Sequence, residues 1–120
     1  MKIKIAIYNH GNIKSIYADE ELNQFTIDNT EITSGISNFI HSTMNIISNW
    51  PDKITNENGD NDLKYKIAFS DGNTAKRIES YGKLPNDFYK LSKLIAYYED
   101  PVLYKTHHNF MPKNNEKGGL

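Results

Sequence analysis

The sequence predicts an α+β domain: a two-layer sandwich with an antiparallel sheet of four to five strands and two helices on one face, in the order β-β-(β)-α-β-β-α-(β). Three observations predict it. Two stretches alternate apolar and polar residues with period two and run into Asn/Asp-Gly turns. Two others repeat apolar residues at three- and four-residue steps, as an amphipathic helix does. Each helical stretch follows a hairpin, and hairpins alternating with helices sort into a sheet layer and a helix layer.

The elements follow in order. Residues 1–8 put Ile3, Ile5 and Ile7 on one face and Lys2, Lys4 and Ala6 on the other. Asn9-His10-Gly11-Asn12 reads as a tight turn, because Gly and Asn tolerate positive φ. Residues 13–18 return, with Ile13 and Tyr17 among their apolar positions, and residues 24–27 make a short third strand closed by Asp28-Asn29. Thr33 or Ser34 caps the first helix. Its buried stripe is Ile36, Phe39, Ile40, Thr43, Met44, Ile47 and Trp50, and Pro51 stops it. Residues 51–62 read as a polar connection. Leu63, Tyr65, Ile67 and Phe69 then point inward, Asp71-Gly72 turns the chain, and residues 74–81 return. A second helix opens at Pro85 or Asn86 and buries Leu84, Phe88, Leu91, Leu94, Ile95 and Tyr98 before Asp100-Pro101. Residues 102–105 read as a last edge strand. One domain thus spans 1–106, and 107–120 is a polar, flexible tail apart from Phe110 and Met111.

Two segments are near-copies: KIAIYNHGN at 4–12 and KIAFSDGN at 66–73. Alternating apolar residues, an outward lysine and an Asn/Asp-Gly turn are what any hairpin with one buried face requires. The repeat is therefore read as a fold signal rather than as a duplicated functional unit, and it directs attention to Arg77 and the C-terminal aromatics.

Composition narrows function by exclusion. The chain has 14 basic and 15 acidic residues, a net charge of −1, and no cysteine. Disulfides and thiolate metal sites are excluded. MKIKIAIY is too short and too alternating for a signal peptide, and no apolar run reaches the roughly 20 residues of a membrane helix. The expectation is a cytoplasmic protein with no membrane partner, of a bacterium or of a phage-infected host. Asn, Ile, Lys and Tyr, all with A/T-rich codons, are abundant, which suits a low-GC bacterium or its phages. Arg77 is the sole arginine. Sequence-specific nucleic-acid recognition favours the arginine fork, so it is not expected here.

No catalytic constellation is found. No serine sits in a G-x-S-x-G elbow and no Gly-rich loop could cradle a phosphate, so neither an enzyme nor a cofactor is expected. His107 and His108 are adjacent and point to opposite faces in an extended chain, which does not chelate one metal. Asn58, Asp60 and Asp62 have a calcium-loop spacing, but Leu63 stands where that loop needs glycine. No metal site is expected.

The candidates left are for partner binding. Arg77 could anchor a phosphate or carboxylate, or pair with an acid across the sheet. Trp50 either closes the core with its N–H on a carbonyl or anchors a partner. Tyr97, off the stripe of the second helix, could frame an apolar patch with Tyr104, Phe110 and Met111. The expected function is a small non-catalytic protein-binding module, an inhibitor or adaptor. In size, compactness, composition and lack of catalytic motifs the chain is similar to the small inhibitors of phages and mobile elements, such as anti-CRISPR and other anti-defence proteins. That likeness includes no sequence motif and carries over no residue. The alternatives are a toxin-immunity protein, and a small-molecule or nucleotide binder using Arg77 with neighbouring tyrosines or lysines. A homodimer through an edge strand at 1–8 or 102–105 is a further expectation.

Overall fold

The computed structural model describes residues 1–55 and 59–99. It is α+β, with strands β1 (Lys2–Asn9), β2 (Asn12–Asp19), β3 (Gln24–Ile27) and β4 (Thr30–Glu31), helix α1 (Ile36–Ile47), strands β5 (Lys53–Thr55), β6 (Asp60–Ser70) and β7 (Ala75–Gly82), and helix α2 (Phe88–Glu99). Among the described residues the strands form one seven-stranded sheet in the order β4-β3-β2-β1-β6-β7-β5.

The sheet is thus larger than the expected four to five strands, and it is mixed rather than antiparallel, since β5 runs parallel to β7. The two extra strands are its edges, two and three residues long. Stretches so short carry no readable alternation; they extend because a neighbouring strand offers unpaired backbone groups. The connection expected at 51–62 holds β5 and the start of β6, which reaches β7 through a register shift between Asp60 and Lys64. Residues 1–8, expected as a possible edge, belong to β1 between β2 and β6. The short β4 and β5 occupy the edges instead, and short edges give another chain little to pair with. The expected strand at 102–105, the histidines at 107 and 108, and the tail lie outside the described residues, as does Asn58 of the calcium-like spacing.

Register assigns the faces. Ile3, Ile5 and Ile7 stand opposite Ala18, Ile16 and Lys14 on one side and opposite Phe69, Ile67 and Tyr65 on the other. Ile16 and Ala18 are therefore inward positions of β2, and Ile13 and Tyr17 lie on the opposite face. Both helices cover this inward face. Phe39 of α1 packs on Phe25 with ring centroids 4.8 Å apart, and Phe88 of α2 packs on Tyr65 at 5.6 Å. Each isoleucine closed off here contributes roughly 1.5–3 kcal/mol.

The first hairpin turns through His10 (φ 49°) and Gly11 (φ 85°), as a two-residue turn matching strand twist requires. The second uses a four-residue loop. Asp71 Oδ1 accepts hydrogen bonds from the Asn73 N–H (2.9 Å), the Thr74 N–H (2.7 Å) and the Thr74 hydroxyl (2.9 Å). These bonds, the Thr74 N–H first, hold the Asp71 carboxyl below its usual range.

One buried hydroxyl, Thr43 Oγ1, has no hydrogen-bond partner among the described residues. Burial pushes the Tyr65 phenol up to about 12. An unpaired buried hydroxyl costs about 1–3 kcal/mol. Thr43→Val removes one without changing shape, and is expected to raise stability by about 1 kcal/mol. Urea denaturation checks this; a loss of stability would mean that the hydroxyl is satisfied.

Candidate functional site: a basic groove on the open sheet face

The other face of the sheet carries the residues that β-alternation sends outward, and no described element packs over it. At its centre the two KIA segments pair with each other. Lys4 stands opposite Ala68, Ile5 opposite Ile67, and Ala6 opposite Lys66. The pair Ile5–Ile67 is the centre of a local two-fold in the register. The same rotation exchanges Ser15 with Arg77, and Tyr17 with Glu79. The fold thus brings together what sequence places 62 positions apart.

The chemical result is a groove. Ala6, Ala68 and Ser15 are too small to fill the space between their long neighbours. They floor a hollow of about 510 Å³ walled by Lys4, Lys66, Arg77, Tyr17 and Glu79. It crosses the sheet from β3 to β7. At about 4.8 Å per strand this is roughly 19 Å of groove.

The face carries an excess of positive charge. Its basic residues are Lys2, Lys4, Lys53, Lys64, Lys66 and Arg77, and its acids at paired strand positions are Asp19, Glu31 and Glu79, six against three, in a chain of net charge −1. Among the described residues neither Lys4, Lys66 nor Arg77 takes part in an ion pair within 4.0 Å. Asp19, by contrast, is already satisfied. It is 5% exposed and accepts bonds from the Tyr17 hydroxyl (3.0 Å) and the Glu21 and Leu22 N–H groups (3.0 and 3.2 Å). Desolvation pushes its carboxyl up, but these bonds outweigh it and hold the carboxyl below its usual range. The bond to Asp19 in turn raises the Tyr17 phenol. Tyr17 is therefore fixed as the neutral, ordered wall of the groove.

At one end of this face lies an aromatic row. Ile13, Tyr8, Lys64 and Tyr81 are direct cross-strand neighbours on β2, β1, β6 and β7. Ile13, Tyr8 and Tyr81 are 53%, 43% and 36% exposed. The Lys64 ammonium lies 5.4 Å over the Tyr8 ring, an attractive cation–π arrangement.

The sequence-derived candidates separate. Arg77 joins the groove, opposite Ala68 rather than an acid, so it is not spent on a cross-strand pair. Trp50 is 5% exposed, with its ring 5.5 Å from Tyr65 and 6.1 Å from Phe88. Its N–H donates to Asp87 Oδ1 (2.7 Å), a carboxylate rather than a carbonyl. Trp50 is thus buried in the core between the sheet and α2. Tyr97 is half-buried against Tyr98, 5.7 Å between rings, and is remote in the fold from the groove residues, being on the helix layer. Tyr104, Phe110 and Met111 lie outside the described residues. Lys4, Lys66, Ala6 and Ala68 are the site residues that sequence reasoning missed. Their signal was the KIA repeat itself, read only as a hairpin.

The described residues include no group of three or more His, Asp or Glu side chains placed to hold a metal. No described helix is long and apolar enough to cross a membrane. The fold and the groove define an α+β domain with an open, basic sheet face. No family model, no curated protein and no solved structure matches the chain.

Proposed function

We propose that the protein is a small non-catalytic binding module whose working surface is the open face of the sheet, and that it holds an anionic partner there. One observation carries this reading: Lys4, Lys66 and Arg77 converge on an alanine-floored groove without an ion-pair partner among the described residues. Lysines held near one another repel, and an anion in the groove relieves that repulsion. The inhibitor or adaptor role, of the phage-borne anti-defence type, is the use such a surface would serve, since an occupied partner is blocked without chemistry. A second reading, a nucleotide binder, is favoured by the same grouping of Arg77 with Lys4, Lys66 and Tyr17, because a groove of this volume accommodates a small ligand.

The test uses a polyanion of no particular sequence. Despite its net charge of −1, the full chain is expected to be retained on immobilised heparin at low salt and released as salt rises. The Lys4→Glu/Lys66→Glu variant should pass unretained with an unchanged melting temperature, since both side chains are exposed. Equal retention of the two proteins would move the binding surface elsewhere, and no retention of the wild type would remove the reading.

A further inference from the structure

Resting on that reading, we infer that the anion is a single-stranded RNA segment laid across the open face, its phosphates on Lys4, Lys66 and Arg77 and its bases on Tyr8 and Tyr81. Charge alone would suit an acidic protein equally. The aromatic row distinguishes them. Tyr8 and Tyr81 are exposed on the same face as the lysines, two strands apart, with Lys64 between them. Aromatic and cation alternate across the sheet as base and phosphate alternate along a single strand. Exposed rings stack on any base, and lysines neutralise any phosphate. Such recognition is tolerant of sequence, so it does not need the arginine forks this chain lacks.

Glu79 selects the sugar. It stands opposite Lys66 on β6 and Lys53 on β5, on the wall of the groove. A carboxylate repels a phosphate but accepts a hydrogen bond from a hydroxyl, and the Tyr81 hydroxyl already approaches it at 3.4 Å. A ribose 2′-hydroxyl is the donor that RNA offers and DNA does not. The groove runs roughly 19 Å from β3 to β7, and a single strand is the form whose bases are free to stack on Tyr8 and Tyr81.

The experiment is fluorescence anisotropy with the full chain and three labelled probes: a 12-mer oligouridylate, a 12-mer oligothymidylate and a polyglutamate peptide of equal charge. The oligouridylate is expected to bind most tightly. Tyr8→Ala and Tyr81→Ala should each weaken it about tenfold, with unchanged circular dichroism because both rings are exposed. Lys66→Gln should reduce the slope of log affinity against log salt by about 0.7, and Glu79→Gln should bring the oligothymidylate closer to the oligouridylate. Polyglutamate binding as tight as the oligouridylate, with both tyrosine variants unaffected, overturns the inference in favour of an acidic protein while leaving the anionic surface standing. Equal binding of the two oligonucleotides overturns the assignment to RNA. Failure of all three probes together with no retention on heparin removes the surface itself.

Discussion

Trp50→Ala is expected to lower stability by about 3–5 kcal/mol, the usual cost of truncating a buried aromatic. The indole is 5% exposed and lies between Tyr65 of β6 and Phe88 of α2, so it joins the sheet to the second helix. Its loss leaves a cavity and also strips Asp87 of the N–H it accepts at 2.7 Å. Trp50→Phe separates the two contributions: it keeps most of the packing and loses only the hydrogen bond to a charged acceptor, about 1.5–3 kcal/mol. Because Trp50 is the sole tryptophan, denaturation is followed by circular dichroism rather than by fluorescence. The same variant should leave the open face of the sheet intact below its melting transition, since the ring lies under the inward face. A stability change under 0.5 kcal/mol would contradict the burial of Trp50.

Gly35→Ala is the second large effect, and two costs combine in it. Gly35 precedes α1 with φ 86° and ψ 16°, a left-handed conformation that disfavours a side chain by about 1–2 kcal/mol. An added Cβ would also lie 2.6 Å from Tyr98 Cε1. The Tyr98 ring cannot simply swing away, because it packs on both Phe25 and Phe39 at 5.5 Å. Overpacking of this kind costs about 1–3 kcal/mol, so the total loss should be roughly 2–5 kcal/mol. A double-mutant cycle checks the cause. Gly35→Ala should cost less in a Tyr98→Ala background, since only the backbone penalty is left. Equal costs in the two backgrounds would remove the collision from the explanation.

Gly35 also sets the start of α1 later than the capping chemistry of Thr33 and Ser34 predicts. Ser34 and Thr33 have good capping chemistry, yet the residue at the cap position is glycine and makes no side-chain bond. What decides it is the approach of Tyr98 from the second helix, 63 positions away, which leaves no room for a side chain. Propensity sees only neighbours in sequence. The same limit hid β4 and β5, whose extended form is imposed by the strands beside them.

The candidate site divides along the same line. Arg77 was visible as a lone arginine on a strand, and the outward positions of Lys4 and Lys66 were visible from alternation. That these three share one groove was not, because alternation gives a face and not a neighbour. Sequence alone allows Trp50 as an anchor or as a core residue; its packing on Tyr65 and Phe88 and its bond to Asp87 are tertiary facts.

By itself, then, the sequence determined the α+β class, both long hairpins, both helices and the inward residues of β1 and β6, since periodicity and turn chemistry are local properties carried by adjacent residues. Tertiary structure alone decided that the two KIA segments pair with each other. Strand order is set by which hydrophobic faces can be covered together, a property of the whole chain. Antiparallel pairing about Ile5 and Ile67 then sets each lysine across from the other segment's alanine. That pairing turns a repeated hairpin sequence into a groove with charged walls and a low floor.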